Sequence, residues 1–189
     1  MRVGLTYDLR SEYLAAGYSD VDTAEFDQPE TIDGIASALS RLELSVDRIG
    51  NARQLASRLA SGSSWDLVFN VCEGLHGFGR EALVPALLDA WQIPYVFSDP
   101  LACAFTLHKG VAKNVVRGHG LATPNFAVVD AAEQVRDLRL RYPLFAKPVA
   151  EGTGKGVSPA SRVSSVEELV GVCAALLAQH RQPVLIEEF

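Results

Sequence analysis

The amino-acid sequence predicts an α/β protein in which a parallel sheet covered by helices is followed by a smaller α+β lobe. Residues 1 to about 98 alternate between apolar runs and amphipathic segments in the order β-α-β-α-β-α-β, which is typical of a parallel sheet. The second half instead has short strands, a glycine-rich turn and one long amphipathic helix. Hydrophobic residues make up 48% and charged residues 21% of the 189 residues, a globular composition.

The N-terminal half supplies the alternating elements. The apolar run "RVGLTY" (2–7) predicts a strand, and the polar, acidic stretch 8–30 predicts a long loop, which in compact domains is typical of functional segments. Helical spacing follows, with apolar residues at Ile32, Ile35, Leu39 and Leu42. The later segments are predicted, in order, as strand "SVDRIG", helix "ARQLASRLA", strand "DLVFNV" (66–71), helix "REALVPALLDAWQ", kinked or started near Pro85, and strand "PYVFS".

The loops that follow the strands are the expected ligand-binding segments of this half. In open parallel sheets, ligands bind beyond the carboxyl ends of the strands. The segments in that position are 8–30, "CEGLHGFGRE" (72–81) and "SDP" (98–100). We therefore expect a site built from these loops.

A helical segment separates the two halves. Asp99 and Pro100 form a favourable helix start, with an N-cap aspartate and proline at the first helical position. The helical pattern continues to about Gly118, with a break near Gly110, and "GLATP" ends it. The expected domains are residues 1–100, a connecting helical segment 101–122, and a second domain 123–189.

The second half predicts four short strands and two helices. Ser165 and Glu168 have the spacing of a capping box ahead of the longer helix. The predicted elements are, in order, strand "NFAVV", helix "AAEQVRDL", strand "PLFAKPV", a glycine loop, strand "GVSPAS", the capped helix, and strand "PVLIEEF".

The glycine loop "EGTGKG" (151–156) matches neither of two common phosphate-binding motifs. A Walker loop needs a glycine where Val149 stands and Ser or Thr after Gly154-Lys155. A dinucleotide fingerprint has different glycine spacing and leads into a helix. Two interpretations stay open: a loop whose backbone amides and lysine bind an anion, or an ordinary flexible hairpin tip.

Lys147 interrupts an otherwise apolar strand and is followed by Pro148. Lysine is rarely buried without a partner, so a role toward phosphate is one interpretation. The alternative is an edge-strand lysine that protects the sheet from aggregation.

Charge and cysteine content exclude several classes of protein. A net charge of −6 and a pI near 5.2 disfavour binding to nucleic acid. Cys72, Cys103 and Cys173 are widely spaced, which predicts buried, reduced thiols rather than a zinc site. No signal peptide or membrane-spanning stretch is evident, so we expect a cytoplasmic protein without membrane association.

Four stretches together resemble the ATP-grasp superfamily, in particular the D-alanine–D-alanine ligases. They are "DLVFNVCEGLHG" (66–77), "LLDAWQIPYVFSDPLACAFTLHKGVAKNVVRGHGLATPNF" (87–126), "YPLFAKPVAEGTGKGVS" (142–158) and "VLIEEF" (184–189). The resemblance implies a Rossmann-like, pre-ATP-grasp domain followed by the small α+β lobe of an ATP-grasp domain. It also implies an ATP-dependent carboxylate–amine ligase that acts through an acyl phosphate.

The same resemblance implies which residues bind ATP. Lys109 and Lys147 would contact nucleotide phosphates, and Lys147 would also reach the adenine side. The segment from Glu151 through Thr153, Gly154, Lys155 and Gly156 would form a flexible lid over the phosphates. The strand end with Glu187, Glu188 and Phe189 would receive adenine. For an amino-acid or peptide substrate, Glu12 would hold the ammonium group and His76 would lie near the carboxylate.

Two departures from the family limit this carry-over. The ligases have H-G-x-x-G-E-D-G where this chain has "HGFGREALVP", so the amino-acid substrates are left open. The sequence stops at the adenine strand, and the Mg²⁺ ligands of the family are expected in a C-terminal lobe beyond it, with none in these 189 residues. This predicts an N-terminal fragment that is inactive by itself and allows a homodimer.

The alternative is a non-catalytic half-protein that binds a nucleotide or a partner chain carrying the other lobe. An NAD(P) oxidoreductase is disfavoured because the first strand leads into no glycine fingerprint.

Overall fold

The computed structural model describes all residues from 1 to 189, which divide into two compact units, 1–104 and 105–189. The N-terminal unit contains a three-stranded parallel sheet in the order β2-β1-β3. Its strands are β1 (Arg2–Tyr7), β2 (Ser45–Gly50) and β3 (Leu67–Val71). Its helices are α1 (Arg10–Ala15), α2 (Pro29–Arg41), α3 (Ala52–Ala60) and α4 (Leu83–Ala90), and α5 (Pro100–Leu107) follows.

Helices cover both faces of this parallel sheet, as the alternating pattern predicts. Leu5 packs with Ile32 and Ala36 of α2 on one face. On the other face Val68 packs with α3 and α4 in a cluster that also contains Trp65. Burial on both faces explains why the central strand β1 reads as a nearly continuous apolar run rather than an alternating one.

Three predictions for this unit need correction. The segment "PYVFS" is not a strand: it forms one bridge, Tyr95 to Val68, with Val68 N–H donating to the Pro94 carbonyl at 2.8 Å. Pro94 has no N–H to donate, and Phe97 has φ of 75°, which turns the chain out of the sheet. The 8–30 loop contains the short helix α1. The helix predicted from residue 80 begins as a 3₁₀ turn, and Pro85 lies within the first turn of α4, where no N–H donor is needed.

The C-terminal unit is a four-stranded antiparallel sheet in the order β4-β7-β5-β6. Its strands are β4 (Phe126–Val129), β5 (Leu144–Pro148), β6 (Arg162–Val163) and β7 (Val184–Glu188). Helix α7 (Val166–His180) packs on one face, over a buried cluster that includes Leu144, Ala146 and Ile186. Helix α6 (Lys109–Gly118) is the other long helix of this unit.

The close approach of α6 to the sheet depends on Gly110. A Cβ atom at Gly110 would lie 2.6 Å from Val128 Cγ2 of β4, which is closer than two carbons can pack. The helix break predicted near Gly110 occurs just before it, at His108. His108 caps α6 by accepting the Val111 N–H on Nδ1 at 3.2 Å.

Three segments of this unit differ from their predicted form. The segment predicted as helix 131–138 is a 3₁₀ helix (Ala132–Asp137). The segment "GVSPAS" is a turn followed by a 3₁₀ helix (Pro159–Ser161), stabilised by Ser158 Oγ accepting the Ala160 N–H, and the short strand comes after it. The capping box is half formed: Ser165 Oγ accepts the Glu168 N–H, whereas the Glu168 carboxylate accepts from Ser164.

The cysteines carry free thiols, with Cys72 and Cys173 buried and Cys103 half-buried rather than fully buried. Burial raises the pKa of Cys173 to about 11. Across the whole chain, every helix is too short or too polar to cross a bilayer.

Candidate functional site

All four lysines of the sequence lie in the C-terminal unit, and each donates to an oxygen of an acidic residue there. Lys113 and Lys147 bind Glu187, and Lys109 and Lys155 bind Glu151. Such a concentration of ammonium groups on one lobe is the main chemical feature of this unit.

Glu187 lies in a row with two aromatic rings across the antiparallel sheet. It is directly opposite Phe126 of β4 and Phe145 of β5. Lys113 Nζ lies 2.8 Å from Glu187 Oε2, and Lys147 Nζ lies 2.5 Å from Oε1. The same two ammonium groups lie over the flanking rings, 5.3 Å from the Phe126 centroid and 5.7 Å from the Phe145 centroid, respectively.

The charge state of Glu187 follows from these contacts. Burial acts to raise the pKa of Glu187, but hydrogen bonds from Lys113 and Lys147 outweigh it and hold that pKa below its ordinary value. The carboxylate is therefore ionised at neutral pH. Because two ammonium groups share one carboxylate, the trio has one positive charge in excess.

The second acidic residue, Glu151, begins the glycine loop. Its Oε2 lies 2.9 Å from Lys155 Nζ, and its Oε1 accepts from Gln182 Nε2 at 2.5 Å. Its backbone carbonyl accepts a hydrogen bond from Lys109 Nζ, and Gln182 Oε1 accepts the Ala150 N–H at 2.7 Å. Lys155, inside the loop, is thus folded back onto the loop's own first residue.

The loop backbone is left-handed at three positions. Thr153, Gly154 and Gly156 have φ values of 47°, 78° and 76°. At Gly156 a Cβ would also lie 2.4 Å from Pro148 Cγ, so both the backbone angle and the packing require glycine. At Gly154 the space around a Cβ is open, so only the backbone angle favours glycine there.

The three predicted adenine-side residues are not brought to one point. Strand alternation turns Glu188 away from Glu187, and its carboxylate accepts hydrogen bonds from Arg141 and Asn125. Phe189 is 73% exposed, and its ring stacks on Phe145 with centroids 5.7 Å apart. An exposed aromatic face thus adjoins the lysine–glutamate trio.

A separate cavity of about 330 Å³ lies in the N-terminal unit, at the carboxyl ends of β1 and β3. The structure brings the two predicted substrate residues, Glu12 and His76, together in its wall, where Tyr18 and Arg53 also lie. The rings of Tyr18 and His76 have centroids 6.1 Å apart. Carboxylate, imidazole and guanidinium groups around one cavity can bind a small zwitterion.

A buried aspartate that sequence reasoning missed, Asp8, supports this cavity. Its Oδ2 accepts the backbone N–H groups of Glu73 at 3.0 Å and Gly74 at 2.8 Å, and its Oδ1 accepts the Tyr13 hydroxyl at 2.5 Å. Asp8 therefore joins helix α1, which carries Glu12, to the loop that carries His76. Its position directly after a buried strand is the signal that could have identified it.

In the same loop, the pKa of Glu73 is strongly perturbed. Burial, then the negative charges of Glu81 and Glu25, raises the pKa of Glu73 to about 7. Arg80 acts in the opposite direction and is itself buried against Glu25 at 2.8 Å.

Lys113 and Gln182 are the other residues that the sequence analysis missed. Lys113 stands one helical turn after Lys109, a spacing that could have indicated it.

Nowhere in the chain do three or more His, Cys, Asp or Glu side chains gather into a group that could hold a metal ion.

The curated relatives of this chain include D-alanine–D-alanine ligases, although no family model matches it. The D-alanine–D-alanine ligase of Syntrophotalea carbinolica is 33% identical over 156 residues, which cover 82% of this chain and 48% of that protein. The chain spans between 35 and 48% of the length of the curated relatives it matches.

Solved structures of the same kind share the fold. The D-alanine–D-alanine ligase of Bacillus anthracis superposes with a TM-score of 0.67 at 19% identity, covering all of this chain and 57% of that one. A structure of the same ligase complexed with ATP gives a TM-score of 0.62 at 19% identity, covering 100% of this chain and 58% of that one. At such low identity, these likenesses concern the fold alone.

Proposed function

Because this chain is a D-alanine–D-alanine ligase-like protein of the ATP-grasp superfamily, we propose that it forms the substrate-binding and part of the nucleotide-binding portion of an ATP-dependent carboxylate–amine ligase. The observation that carries the proposal is the placement of all four lysines around the glycine loop and the last strand of one lobe. A triphosphate is the ligand that such a set of mobile positive charges fits best.

In this proposal the C-terminal unit holds ATP. Lys109 and Lys147 contact phosphates, and Lys155 leaves Glu151 to follow the loop 151–156 over them. The exposed end of β7, with Phe189, receives the adenine ring. Positive groups and backbone N–H donors stabilise the negative charge on the phosphates during phosphoryl transfer. The rest of the rate enhancement comes from positioning the reacting groups.

The cavity of the N-terminal unit binds the carboxylate substrate, an amino acid or a peptide. Glu12 binds its ammonium group, and His76 lies at its carboxylate end. Asp8 keeps these two residues in place through its hydrogen bonds to the flanking segments. ATP supplies the phosphoryl group that activates the substrate carboxylate for attack by an amine. We expect the Mg²⁺ that accompanies ATP to be held by residues outside these 189.

The test has two parts, which separate nucleotide binding from turnover. Calorimetry with ATP measures binding by residues 1–189. Phosphate release with a panel of amino acids and dipeptides is then measured on a chimera that joins these residues to the remaining part of a curated relative. We expect binding by the chain and turnover only by the chimera. A chain that binds no ATP, or a chimera that binds ATP yet releases no phosphate with any substrate, would contradict the proposal.

A further inference from the structure

Lys113 is linked to Lys147 of the proposed nucleotide site through the side chain of Glu187. It lies on α6, its ammonium group is bound to Glu187 Oε2, and its side chain is 14% exposed. Lys147 binds the other oxygen of the same carboxylate and is 24% exposed, so it is the more accessible of the two ammonium groups. Lys113 also lies over the Phe126 ring, which fixes it on the α6 side of the trio.

The charge balance of the trio depends on Lys113. One carboxylate cannot neutralise two ammonium groups, and burial beside Phe126 and Phe145 strengthens the interactions among the three charges. Without Lys113, Glu187 and Lys147 would form a neutral pair in which the carboxylate belongs to Lys147 alone. With Lys113 present, Glu187 divides its charge interaction between two ammonium groups and therefore binds Lys147 less strongly.

We propose that Lys113 is a positioning residue that, by sharing Glu187, keeps the charge of Lys147 available to the phosphates of a nucleoside triphosphate. The inference rests on the proposed nucleotide site and adds a residue that acts on it indirectly. Lys113 needs no contact with the nucleotide: it determines how firmly Lys147 is bound to its own protein partner.

The first experiment needs no nucleotide, so it remains decisive even if the chain binds no ATP. Acetylation of each lysine by acetic anhydride is followed by mass spectrometry in wild type, Lys113→Met and Lys113→Arg. We expect acetylation of Lys147 to slow about fivefold in Lys113→Met, on the order of a partly buried charge contact, and to be unchanged in Lys113→Arg. Unchanged acetylation of Lys155 shows that the lobe is folded. Unchanged or faster acetylation of Lys147 in Lys113→Met would overturn the inference.

The second experiment measures affinity for ATP and for adenosine by calorimetry. Lys113→Met should weaken ATP binding about fivefold to tenfold and adenosine binding much less, because the charge of Lys147 acts mainly on the phosphates. The double variant Lys113→Met/Lys147→Ala should bind ATP no more weakly than Lys147→Ala. A full additional loss in the double variant would show that Lys113 acts on ATP directly, and equal losses for ATP and adenosine would show a structural role; either result overturns the inference. Absence of ATP binding in wild type would contradict the proposed function instead.

Discussion

The ammonium group of Lys155 lies 2.9 Å from the carboxylate of Glu151, four residues earlier in the same glycine loop, and both side chains are about nine-tenths buried. The loop therefore holds its own lysine against its first residue. In the proposed function a phosphate has to compete with Glu151 for Lys155, so we expect the pair to set how readily the loop opens.

Replacing Glu151 with Gln should loosen this loop. Endoproteinase Lys-C is a suitable probe because Lys155 is the one lysine in a loop: Lys109 and Lys113 lie in α6, and Lys147 precedes a proline. We expect cleavage at Lys155 to accelerate at least about fivefold, because even an exposed ion pair is worth about 1 kcal/mol and this pair is largely buried. ATP should slow cleavage in the wild type. The exposed Glu133→Gln is the matched control; equal cleavage rates in Glu151→Gln and Glu133→Gln would contradict the expectation.

Lys147→Ala should lower ATP affinity about tenfold to a hundredfold, the loss of about 1.5–3 kcal/mol expected for one charge-assisted phosphate contact. The fold should be retained because Lys147 lies on the partly exposed face of β5. Calorimetry with ATP measures the effect, and Arg139→Ala, which removes an exposed positive charge from the same unit, is the control. Wild-type affinity in Lys147→Ala would exclude this residue from the site.

Three glycine substitutions should separate backbone strain from packing. Gly156→Ala combines a left-handed backbone with a clash against Pro148 and should destabilise by about 2 kcal/mol or more, whereas Gly154→Ala, with open space, should cost about 1 kcal/mol. Gly171→Ala, in the exposed middle of α7, should stabilise by about 0.5–1 kcal/mol. Urea unfolding followed by circular dichroism measures all three. A larger cost at Gly154 than at Gly156 would show that packing against Pro148 is unimportant.

The raised pKa of Glu73 predicts that the stability of the N-terminal unit depends on pH. Its folded-state pKa of about 7 lies above the value of an unfolded glutamate, so the native state binds more protons than the unfolded state between about pH 4.5 and 7. Stability from this group is fully present below that window and is lost as the pH rises through it, by on the order of 2 kcal/mol. Glu73→Gln should remove this dependence and be the more stable protein at pH 8.

The measurement for Glu73 is urea unfolding of wild type and variant from pH 4.5 to 8. Glu30→Gln, at an exposed position in the first turn of α2, is the control and should follow the wild-type profile. Parallel profiles for wild type and Glu73→Gln would show that burial of Glu73 is not the source of the dependence.

The arrangement of buried elements could be predicted from the sequence, because hydrophobic periodicity reflects burial directly. Strands β1 and β2 and helix α3 have the predicted bounds. Errors fall where short-range geometry decides: the left-handed backbone of Phe97 ends the pairing of "PYVFS" after one bridge, and Ser158 diverts "GVSPAS" into a 3₁₀ turn. Such local geometry leaves no periodic signal.

Individual residues of the candidate site could be predicted from the sequence, but which side chains bind one another could not. Lys147 and the glycine loop stand out because their residue types are unusual in their positions. That Lys113 shares Glu187 with Lys147, or that Gln182 fixes Glu151, depends on contacts between residues 31 to 74 positions apart in the chain. The roles of Glu12 and His76 remain predictions, whereas their common cavity follows from the rule that loops after the carboxyl ends of parallel strands form the ligand site.

The placement of Trp65 in the core of the N-terminal unit has a spectroscopic consequence. Trp65 and Trp91 are the two tryptophans of the chain, and both belong to residues 1–104. Intrinsic fluorescence will therefore report unfolding of the parallel-sheet unit and remain nearly blind to the lysine-bearing one, whose single tyrosine is Tyr142. A Phe189→Trp substitution would give the second unit an emitting ring stacked on Phe145, so that comparing the fluorescence of variant and wild type would distinguish unfolding of the two units.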